Sequence, residues 1–545
     1  MLPPPRLSVG SDELPAHVRR VLHNERELTF FGCCRCYPKA VAWSLLLFCT
    51  IVMEAYGKSL ISGFIAFPEF QRRYGSPARP FAQSPEQQHY KISPAWQMDL
   101  QNAAMVCEII GLLAHGYITY VIGYRKMMMA CLLWMCGAVF PAVFATNIWL
   151  LLVSQALCGL PWGVIQTLAA TYAAEVVPST LRACVLSNIN MCWLIGQLIG
   201  TGILRILVQD DSEWSYRLPF ALQWAFAVPL LIGVYFAPDS PWWLIRHEKQ
   251  ADARHSLRRL CNRNVLDIED TITVMEHTNM IEKKYNYGGS SYMDCFKGAN
   301  LRRTEIACAV WSCQALCGSA LIGSAPYFLS QAGFNPSHSF SLSTGIYGMG
   351  ILGGMTSWIL LSVVGRRRLY IPGLLSSVII LAICGTLSVA WSQVIGMDWA
   401  LGGLIILMAF TYNLTIGPVC YVLAAEIPST RLRVKTVALA RVTYNIFSII
   451  NNALVPQMLN PTVWNLKGKA CFVYTGTAFL CLIWCYFRLP ETKLLSYLEL
   501  DILFEKRAPT ATFRELQIRL ANSAYMSISA VERLRNVWHG WLAYS

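Results

Sequence analysis

The chain has 545 residues, of which 55% are hydrophobic and only 14% are charged. Soluble domains contain about a quarter charged residues, so this composition excludes one large soluble domain. Apolar runs of about 20 residues, the length needed to cross a bilayer, recur along the chain and predict a polytopic all-α membrane protein. The net charge of +13 is therefore interpreted from its placement in loops, and it does not predict a nucleic-acid partner.

Residues 1–40 are predicted to form a polar N-terminal tail. Cys33, Cys34 and Cys36 precede the first apolar run, and both palmitoylation and unmodified thiols stay open for them. Twelve apolar spans then follow, at about 41–66, 97–121, 127–146, 148–172, 184–208, 218–237, 304–330, 341–363, 370–391, 400–424, 434–456 and 468–488. The expected organisation is an N-terminal tail (1–40), a six-helix half (41–237), a connection (238–303), a second six-helix half (304–488) and a C-terminal tail (489–545).

Three short motifs occur twice in the same order. The motif pairs begin at Gly123 and Gly365, at Ala174 and Ala425, and at Pro238 and Pro490. Glu175 and Glu426, the acidic residues of the second pair, lie 251 positions apart. Three motifs that recur in the same order, each separated from its copy by a similar distance along the chain, predict two homologous halves. Two six-helix halves fit a rocking-bundle carrier that binds its substrate near the membrane midplane, between the halves.

Basic residues mark one side of the membrane. They follow spans two, four, eight and ten and occur throughout the connection, whereas the loops after spans three, seven and nine contain none. The long loop after span one, which contains Arg72, Arg73, Arg79 and Lys91, is the exception. By the positive-inside rule, both termini and the connection are predicted to be cytoplasmic.

The repeated glutamates are predicted to lie at helix ends beside arginines, which indicates a cytoplasmic gate. An arginine fork can hold a carboxylate bidentately, so pairs of this kind would latch one global state of the carrier. A purely topological role explains basic residues in these turns, but it does not explain a glutamate at the same place in both halves. The gate candidates are Glu175 with Arg182, Glu426 with Arg431 or Arg433, and the basic residues Arg125, Arg366 and Arg367.

Several further motifs carry a family resemblance. They are Leu157 to Gly163, Cys192 to Gln197, Pro241 to Leu244, Cys313 to Gly318, Gly417 to Tyr421 and Leu459 to Trp464. Together with the spans and repeated turns, they resemble the sugar-porter branch of the major facilitator superfamily from about residue 40 to 510. Within that branch the resemblance is greatest to the fungal α-glucoside (maltose-type) permeases. It implies an alternating-access sugar carrier in the plasma membrane.

The resemblance also places substrate-binding positions at Asn190, Gln314, Asn413, Tyr444 and Asn445. Amides and phenols inside a span are costly to leave unpaired in lipid, so we expect them to face a cavity. The aromatic rings of Trp193 and Tyr421 would complete a site for a neutral polyol. Helix–helix hydrogen bonding is the alternative role for each polar residue.

The first span departs from the family pattern. The family typically has Glu-Gly-Tyr-Asp where this chain has Glu54-Ala-Tyr-Gly57-Lys58. The acidic residue that proton-coupled members carry at the Gly57 position is therefore missing. Glu54 and Lys58 can pair on one helical face, and Arg441 is a competing partner. Our hypothesis is altered coupling, in a uniporter or a weakly coupled symporter.

Three functions stay open for a chain of this kind. The first is import of an α-glucoside, and the second is transport of another small molecule, such as a glycoside or secondary metabolite, including export. The third is a sugar sensor that transports nothing. The sequence contains no constellation of metal ligands or nucleophiles, so we predict neither an enzyme nor a cofactor. The expected partners are a sugar and the lipid bilayer, with protons as a further partner if the carrier is a symporter. We expect the protein to be a monomer.

Overall fold

The computed structural model describes residues 37–77, 90–177, 179–261, 268–269, 271–273, 275–276, 291–332, 334–390, 397–429, 432–460, 463–493, 500, 503–504, 507, 509–510 and 513. The three cysteines of the N-terminal tail and the gate candidate Arg431 lie outside these residues. The side chain of Arg182 also lies outside the description.

Long helices build the first half, because a helix is the one local structure that pairs every backbone group of an apolar run in lipid. They are α1 (Pro38–Phe64), the short α2 (Pro68–Tyr74), α3 (Pro94–Ile122), α4 (Tyr124–Val143), α5 (Ile148–Val176), α6 (Ser179–Leu207) and α7 (Trp214–Phe236). Between α2 and α3, the two-residue strands β1 (Ser76–Pro77) and β2 (Tyr90–Lys91) pair antiparallel.

The connection contains α8 (Pro241–Arg246), α9 (Gln250–Leu260) and a 3₁₀ turn (Tyr292–Phe296). The second half begins with α10 (Gly298–Gln314), a π-helical turn (Ala315–Ser319), α11 (Ala320–Gly323) and α12 (Ala325–Ala332). It continues with α13 (Pro336–Val363), α14 (Arg366–Ala390), α15 (Met397–Leu414), α16 (Ile416–Glu426), α17 (Arg433–Leu459), a 3₁₀ turn (Lys467–Lys469) and α18 (Ala470–Arg488).

The two ends of the bundle are named here by what they carry. The hairpin end carries β1 and β2. The repeat end carries Glu175, in the last turn of α5, and Glu426, the last residue of α16. Successive long helices run alternately between these two ends.

Eleven spans within the described residues are long and apolar enough to cross a membrane by length and composition. Helix α17 has 27 residues but is not among them, because Arg433, Lys435, Arg441 and several amides lower its hydropathy. It packs against α3 of the first half and α10 of the second. This polar helix, the eleventh long span in chain order, therefore packs between the halves.

Two spans that the sequence predicts as continuous are interrupted. The span predicted at 304–330 breaks at Cys317 and Gly318, where Gly318 has φ of +91°, a conformation that favours glycine. The span predicted at 400–424 breaks at Thr415, which has non-helical backbone angles. Pro418 follows shortly after and lacks the N–H that would continue the helical hydrogen bonds. Interrupted helices of this kind are typical of carrier binding sites.

Helices α3 and α5 pack with their backbones in close approach. A Cβ atom at Gly159 would lie 2.2 Å from the carbonyl oxygen of Ala104, and one at Gly163 would lie 2.2 Å from that of Glu108. Two glycines four residues apart are the spacing that allows membrane helices to meet this closely. The contact fixes the position of Glu108 relative to α5.

We expect Gly163→Ala to destabilise the protein, because the added methyl group overlaps the α3 backbone. Overpacking of this kind costs about 1–3 kcal/mol, and a lower unfolding temperature of the detergent-purified carrier would report it. Gly137→Ala in α4 is the matched control, since a Cβ atom there meets nothing within 4 Å. Equal unfolding temperatures for the two variants would contradict this packing.

Candidate functional site

Two cavities lie between the halves and meet in the middle of the bundle. The first, of about 220 Å³, runs from the centre towards the hairpin end, where Ser62 and Gly323 line it. The second, of about 280 Å³, runs from the centre towards the repeat end. The two cavities share the side chains of Trp193, Tyr421 and Arg441.

Six of the seven predicted substrate-binding residues line the first cavity: Asn190, Trp193, Gln314, Asn413, Tyr421 and Tyr444. Asn445 lines neither cavity. Its side chain is fully buried, and neither of its amide atoms has a hydrogen-bond partner among the described residues. The fold therefore places six of the predicted residues around the first cavity, and it buries Asn445 in the protein interior away from both cavities.

Two carboxylates are buried beside the first cavity. Glu54 of α1 and Glu108 of α3 are both fully inaccessible to solvent. The ammonium group of Lys58 lies between them, 2.8 Å from Glu54 Oε1 and 2.6 Å from Glu108 Oε2. Lys58 itself lines the cavity, and its ammonium group lies 5.0 Å from the centroid of the Trp193 ring. The predicted Glu54–Lys58 pair is present, with a second carboxylate that the sequence analysis missed.

Gln166 connects these carboxylates to Arg441 in the other half. Its amide nitrogen donates to Glu54 and, at 2.6 Å, to Glu108 Oε1. Its amide oxygen accepts from Arg441 Nε at 2.6 Å. Arg441, proposed from the sequence as a partner of Glu54, thus reaches it through Gln166. The guanidinium group also lies over the rings of Trp311 and Tyr444, 4.6 and 4.5 Å from their centroids.

Glu108, Gln166 and Trp311 are site residues that the sequence analysis missed. For Glu108 a signal was available, since an acidic residue inside an apolar span is a functional candidate by default. Gln166 offered the weaker signal of an amide in the same type of span. Nothing in the sequence identified Trp311 as the ring beneath Arg441.

Two of the cavity residues, Asn190 and Asn413, bond to each other across the halves. Asn190 Nδ2 donates to Asn413 Oδ1 at 3.2 Å. The nitrogen of Asn413 donates to the carbonyl of Ala409 in its own helix at 2.8 Å. This amide pair joins α6 of the first half to α15 of the second.

The repeated motifs assemble into one network in each half. Glu175 accepts hydrogen bonds from Ser240 and from Arg246, whose Nη1 lies 2.8 Å away. Because Ser240 caps α8 and contacts Glu175, it brings Arg246, at the end of that six-residue helix, to the same carboxylate. The pattern also predicts Arg182 as a partner of Glu175, but the Arg182 side chain lies outside the described part of the structure. Arg246 is the arginine that contacts Glu175.

The second half repeats this arrangement. Glu426 accepts from Arg366 Nη2 at 2.9 Å and from Thr492 at 2.5 Å. Glu491 accepts from the backbone N–H groups of Arg366 and Arg367 at 2.8 and 3.2 Å. An acidic residue at a helix N-terminus compensates the free N–H groups and the helix dipole there.

The remaining gate candidates have separate positions. The backbone N–H of Arg125 donates to Asp239 Oδ1 at 3.0 Å, which mirrors the contact of Glu491 in the other half. The side chain of Arg367 donates to the Tyr486 carbonyl at 2.6 Å. Arg433, suggested as a partner of Glu426, lines the second cavity.

At the hairpin end, hydrogen bonds join the two halves. Ser62 donates to the Gly323 carbonyl at 2.8 Å, and Arg205 donates to the Ser341 hydroxyl at 2.6 Å. Asn452 of α17 donates to Asn102 Oδ1 of α3 at 3.1 Å. The halves are therefore held together at this end, while the second cavity extends towards the repeat end.

Comparisons with known proteins agree with this architecture. A family model described as "Sugar (and other) transporter" matches residues 43–504. The alpha-glucosides permease MPH3 of Saccharomyces cerevisiae is 38% identical over 502 residues, which are 91% of this chain and 82% of the relative. The maltose permease MAL31 of the same organism is 36% identical over 514 residues, or 93% and 82% of the two chains.

Solved structures of the xylose transporter XylE have the same fold. The proton:xylose symporter XylE bound to 6-bromo-6-deoxy-D-glucose gives a TM-score of 0.70 at 20% identity, over 86% of this chain and 99% of that one. The inward open form from E. coli gives 0.65 at 18% identity, over 85% and 99% of the chains. The predicted two-half membrane fold is thereby confirmed, and the matched relatives are transporters, not enzymes.

We expect Arg366→Ala to destabilise the carrier by about 3 kcal/mol, the lower end for a broken buried ion pair, because it leaves the largely buried carboxylate of Glu426 without its cation. The side chains of this pair are only 12% and 19% exposed. Arg488→Ala is the control: the Arg488–Glu305 pair is 48% and 35% exposed, and such surface pairs contribute about 0–1 kcal/mol. Unfolding temperatures would test the difference, and an equal loss in both variants would contradict it.

Proposed function

Because the chain belongs to the sugar-transporter family of the major facilitator superfamily, we propose that it carries an α-glucoside such as maltose by alternating access. The observation that carries this proposal is the similarity to α-glucoside and maltose permeases over more than nine-tenths of the chain. The cavities between the halves supply a route that a sugar could follow.

The lining of the first cavity suits a neutral polyol. Gln314 offers an amide, Tyr444 a phenol, and Trp193 and Tyr421 aromatic faces. Amides and hydroxyls match sugar hydroxyl groups as donors and acceptors, and aromatic rings pack against the apolar faces of a pyranose. We propose these four residues as sugar contacts. Asn445 is left outside this set because it lines neither cavity.

We further propose that transport does not require proton coupling. A carboxylate that is buried without a cation must either bind a proton or stay ionised at a high cost in free energy. Here the two buried carboxylates, Glu54 and Glu108, are balanced by two cations, Lys58 and Arg441, which are joined to them directly or through Gln166. The cluster is neutral without any added proton. Proton symport is the alternative, and the uptake experiment below distinguishes the two.

The positive-inside distribution supports a cytoplasmic repeat end, and the permease relatives support the plasma membrane as the location. In that orientation the second cavity opens towards the cytoplasm and both termini are cytoplasmic. We propose that the carrier acts as a monomer, because both halves of the cavity come from one chain.

Uptake of radiolabelled maltose by a transporter-null yeast that expresses the chain tests the proposal. We expect saturable uptake that changes less than about twofold between pH 5 and pH 7 and persists with a protonophore. Acid-stimulated, protonophore-sensitive uptake would restore the symporter. If the protein reaches the cell surface and transports no maltose, the α-glucoside proposal is wrong, and another cargo or a sensor takes its place.

The variant Lys58→Gln tests the charge balance. Without Lys58 the cluster holds one carboxylate more than it has cations, so binding of a proton restores neutrality. We therefore expect uptake by this variant to be several-fold higher at pH 5 than at pH 7 and to fall with a protonophore. Lys39→Gln, at the exposed start of the same helix, should keep the pH dependence of the wild type. An unchanged pH profile in Lys58→Gln would contradict the charge-balance argument.

A further inference from the structure

We propose that helix α18 positions Gln314, the amide proposed above as a sugar contact. Two side chains of α18, Tyr474 and Thr477, brace the interrupted backbone that directly follows Gln314. No described residue of α18 lines either cavity, so its role is one of positioning and not of direct contact. The proposal rests on the transport function proposed above.

The interruption after α10 relies on side chains for part of its backbone hydrogen bonding. Cys317 and Gly318 have non-helical backbone angles there. In a membrane, a broken helix is tolerated when side chains of the same or neighbouring helices satisfy the backbone groups at the break. Three successive carbonyls accept such bonds, at 2.7, 2.8 and 2.7 Å: Gln314 from Ser319, Ala315 from Asn451, and Leu316 from Thr477.

Helix α18 supports two of these three bonds. The hydroxyl of Thr477 donates to the Leu316 carbonyl at 2.7 Å, and the Tyr474 carbonyl of its own helix is a more distant acceptor at 3.2 Å. The hydroxyl of Tyr474 donates to Asn451 Oδ1 at 3.3 Å. This bond orients the Asn451 amide so that its nitrogen faces the Ala315 carbonyl. Tyr474 and Asn451 are both buried.

The braced carbonyls belong to the two residues that follow Gln314. Gln314 is the last residue of α10, and its side chain lines the first cavity. Because the helix is interrupted directly after it, the direction of its side chain depends on how Ala315 and Leu316 are held. A hydrogen bond extends over at most about 3.2 Å between heavy atoms, so a small displacement of this turn removes the amide from a bound sugar.

A positioning role and a purely structural role predict different kinetics. A brace that only stabilises the fold changes the amount of folded carrier and leaves the KM of that carrier unchanged. A brace that positions a sugar contact raises KM when it is lost. Its effect also disappears once Gln314 has been removed, because two residues that act through one contact have non-additive effects.

The experiment is a double-mutant cycle of Thr477→Val, Gln314→Ala and the double variant, with radiolabelled maltose uptake normalised to carrier at the cell surface. We expect Thr477→Val to raise KM about threefold, the factor that one average hydrogen bond between membrane helices supplies. In the Gln314→Ala background the same substitution should change KM less than about 1.5-fold. An unchanged KM in Thr477→Val, or an equal rise in both backgrounds, would overturn the proposal.

Two further variants of α18 complete this comparison. Thr475→Val is the matched control, because the Thr475 hydroxyl donates only to the Cys471 carbonyl of its own helix, at 2.9 Å. We expect this control to keep the KM of the wild type. Tyr474→Phe removes only the hydroxyl that orients Asn451, and it should also raise KM, which keeps the test available if Thr477→Val fails to fold. An equal KM in Tyr474→Phe and Thr475→Val would count against the brace.

Hydrogen–deuterium exchange of the purified carrier without sugar separates the brace from the choice of substrate, because exchange reports local opening of the backbone. We expect the peptide that covers residues 315–323 to exchange faster in Thr477→Val than in the wild type, and to be unchanged in Thr475→Val. If maltose is not transported but exchange at the break increases, the α-glucoside proposal fails and the brace stands. Unchanged exchange in Thr477→Val would show that the brace is wrong, whether or not maltose is transported.

Discussion

Burial of two carboxylates in the middle of a membrane bundle is the constraint on which the centre of this protein depends. Such groups are tolerated only when cations and hydrogen-bond donors compensate them. Lys58 lies between Glu54 and Glu108, and Gln166 extends the network to Arg441 in the other half. The charged centre thus joins the two halves directly beside the cavity. A change in the charge of this cluster therefore affects both the cavity and the packing of one half against the other.

Repetition in the sequence predicted much of the fold, because homologous halves keep the same motifs at the same structural positions. Glu175 and Glu426 were matched by pattern alone, and in the structure each accepts from a hydroxyl of the third repeated motif, Ser240 and Thr492 respectively. The resemblance to sugar porters also indicates six residues that line the first cavity. The physical reason agrees for the polar ones, because polar side chains inside apolar spans have few other places to face. The same logic would have found Glu108.

The structural features that the sequence does not predict are those that depend on contacts between segments far apart in the chain. Arg246 pairs with Glu175 because α8 folds back beneath α5, which no local pattern encodes. The interruption at Gly318 had a possible signal in the glycine, but a glycine inside an apolar run is also compatible with an unbroken helix. Asn445 matched a family position by resemblance, yet its side chain is buried away from both cavities. Local pattern gives the type of residue, whereas tertiary packing decides its neighbour.

The polarity of α17 has a consequence for how the protein is made. A central arginine alone costs about 2.5–3.5 kcal/mol when a helix leaves the translocon for lipid, and α17 adds Asn445, Asn451 and Asn452 to Arg441. The helix is stable in the membrane because it packs between α3 and α10, which are synthesised earlier. We therefore expect insertion to depend on the order of synthesis, because both helices that shelter the eleventh span precede it in the chain.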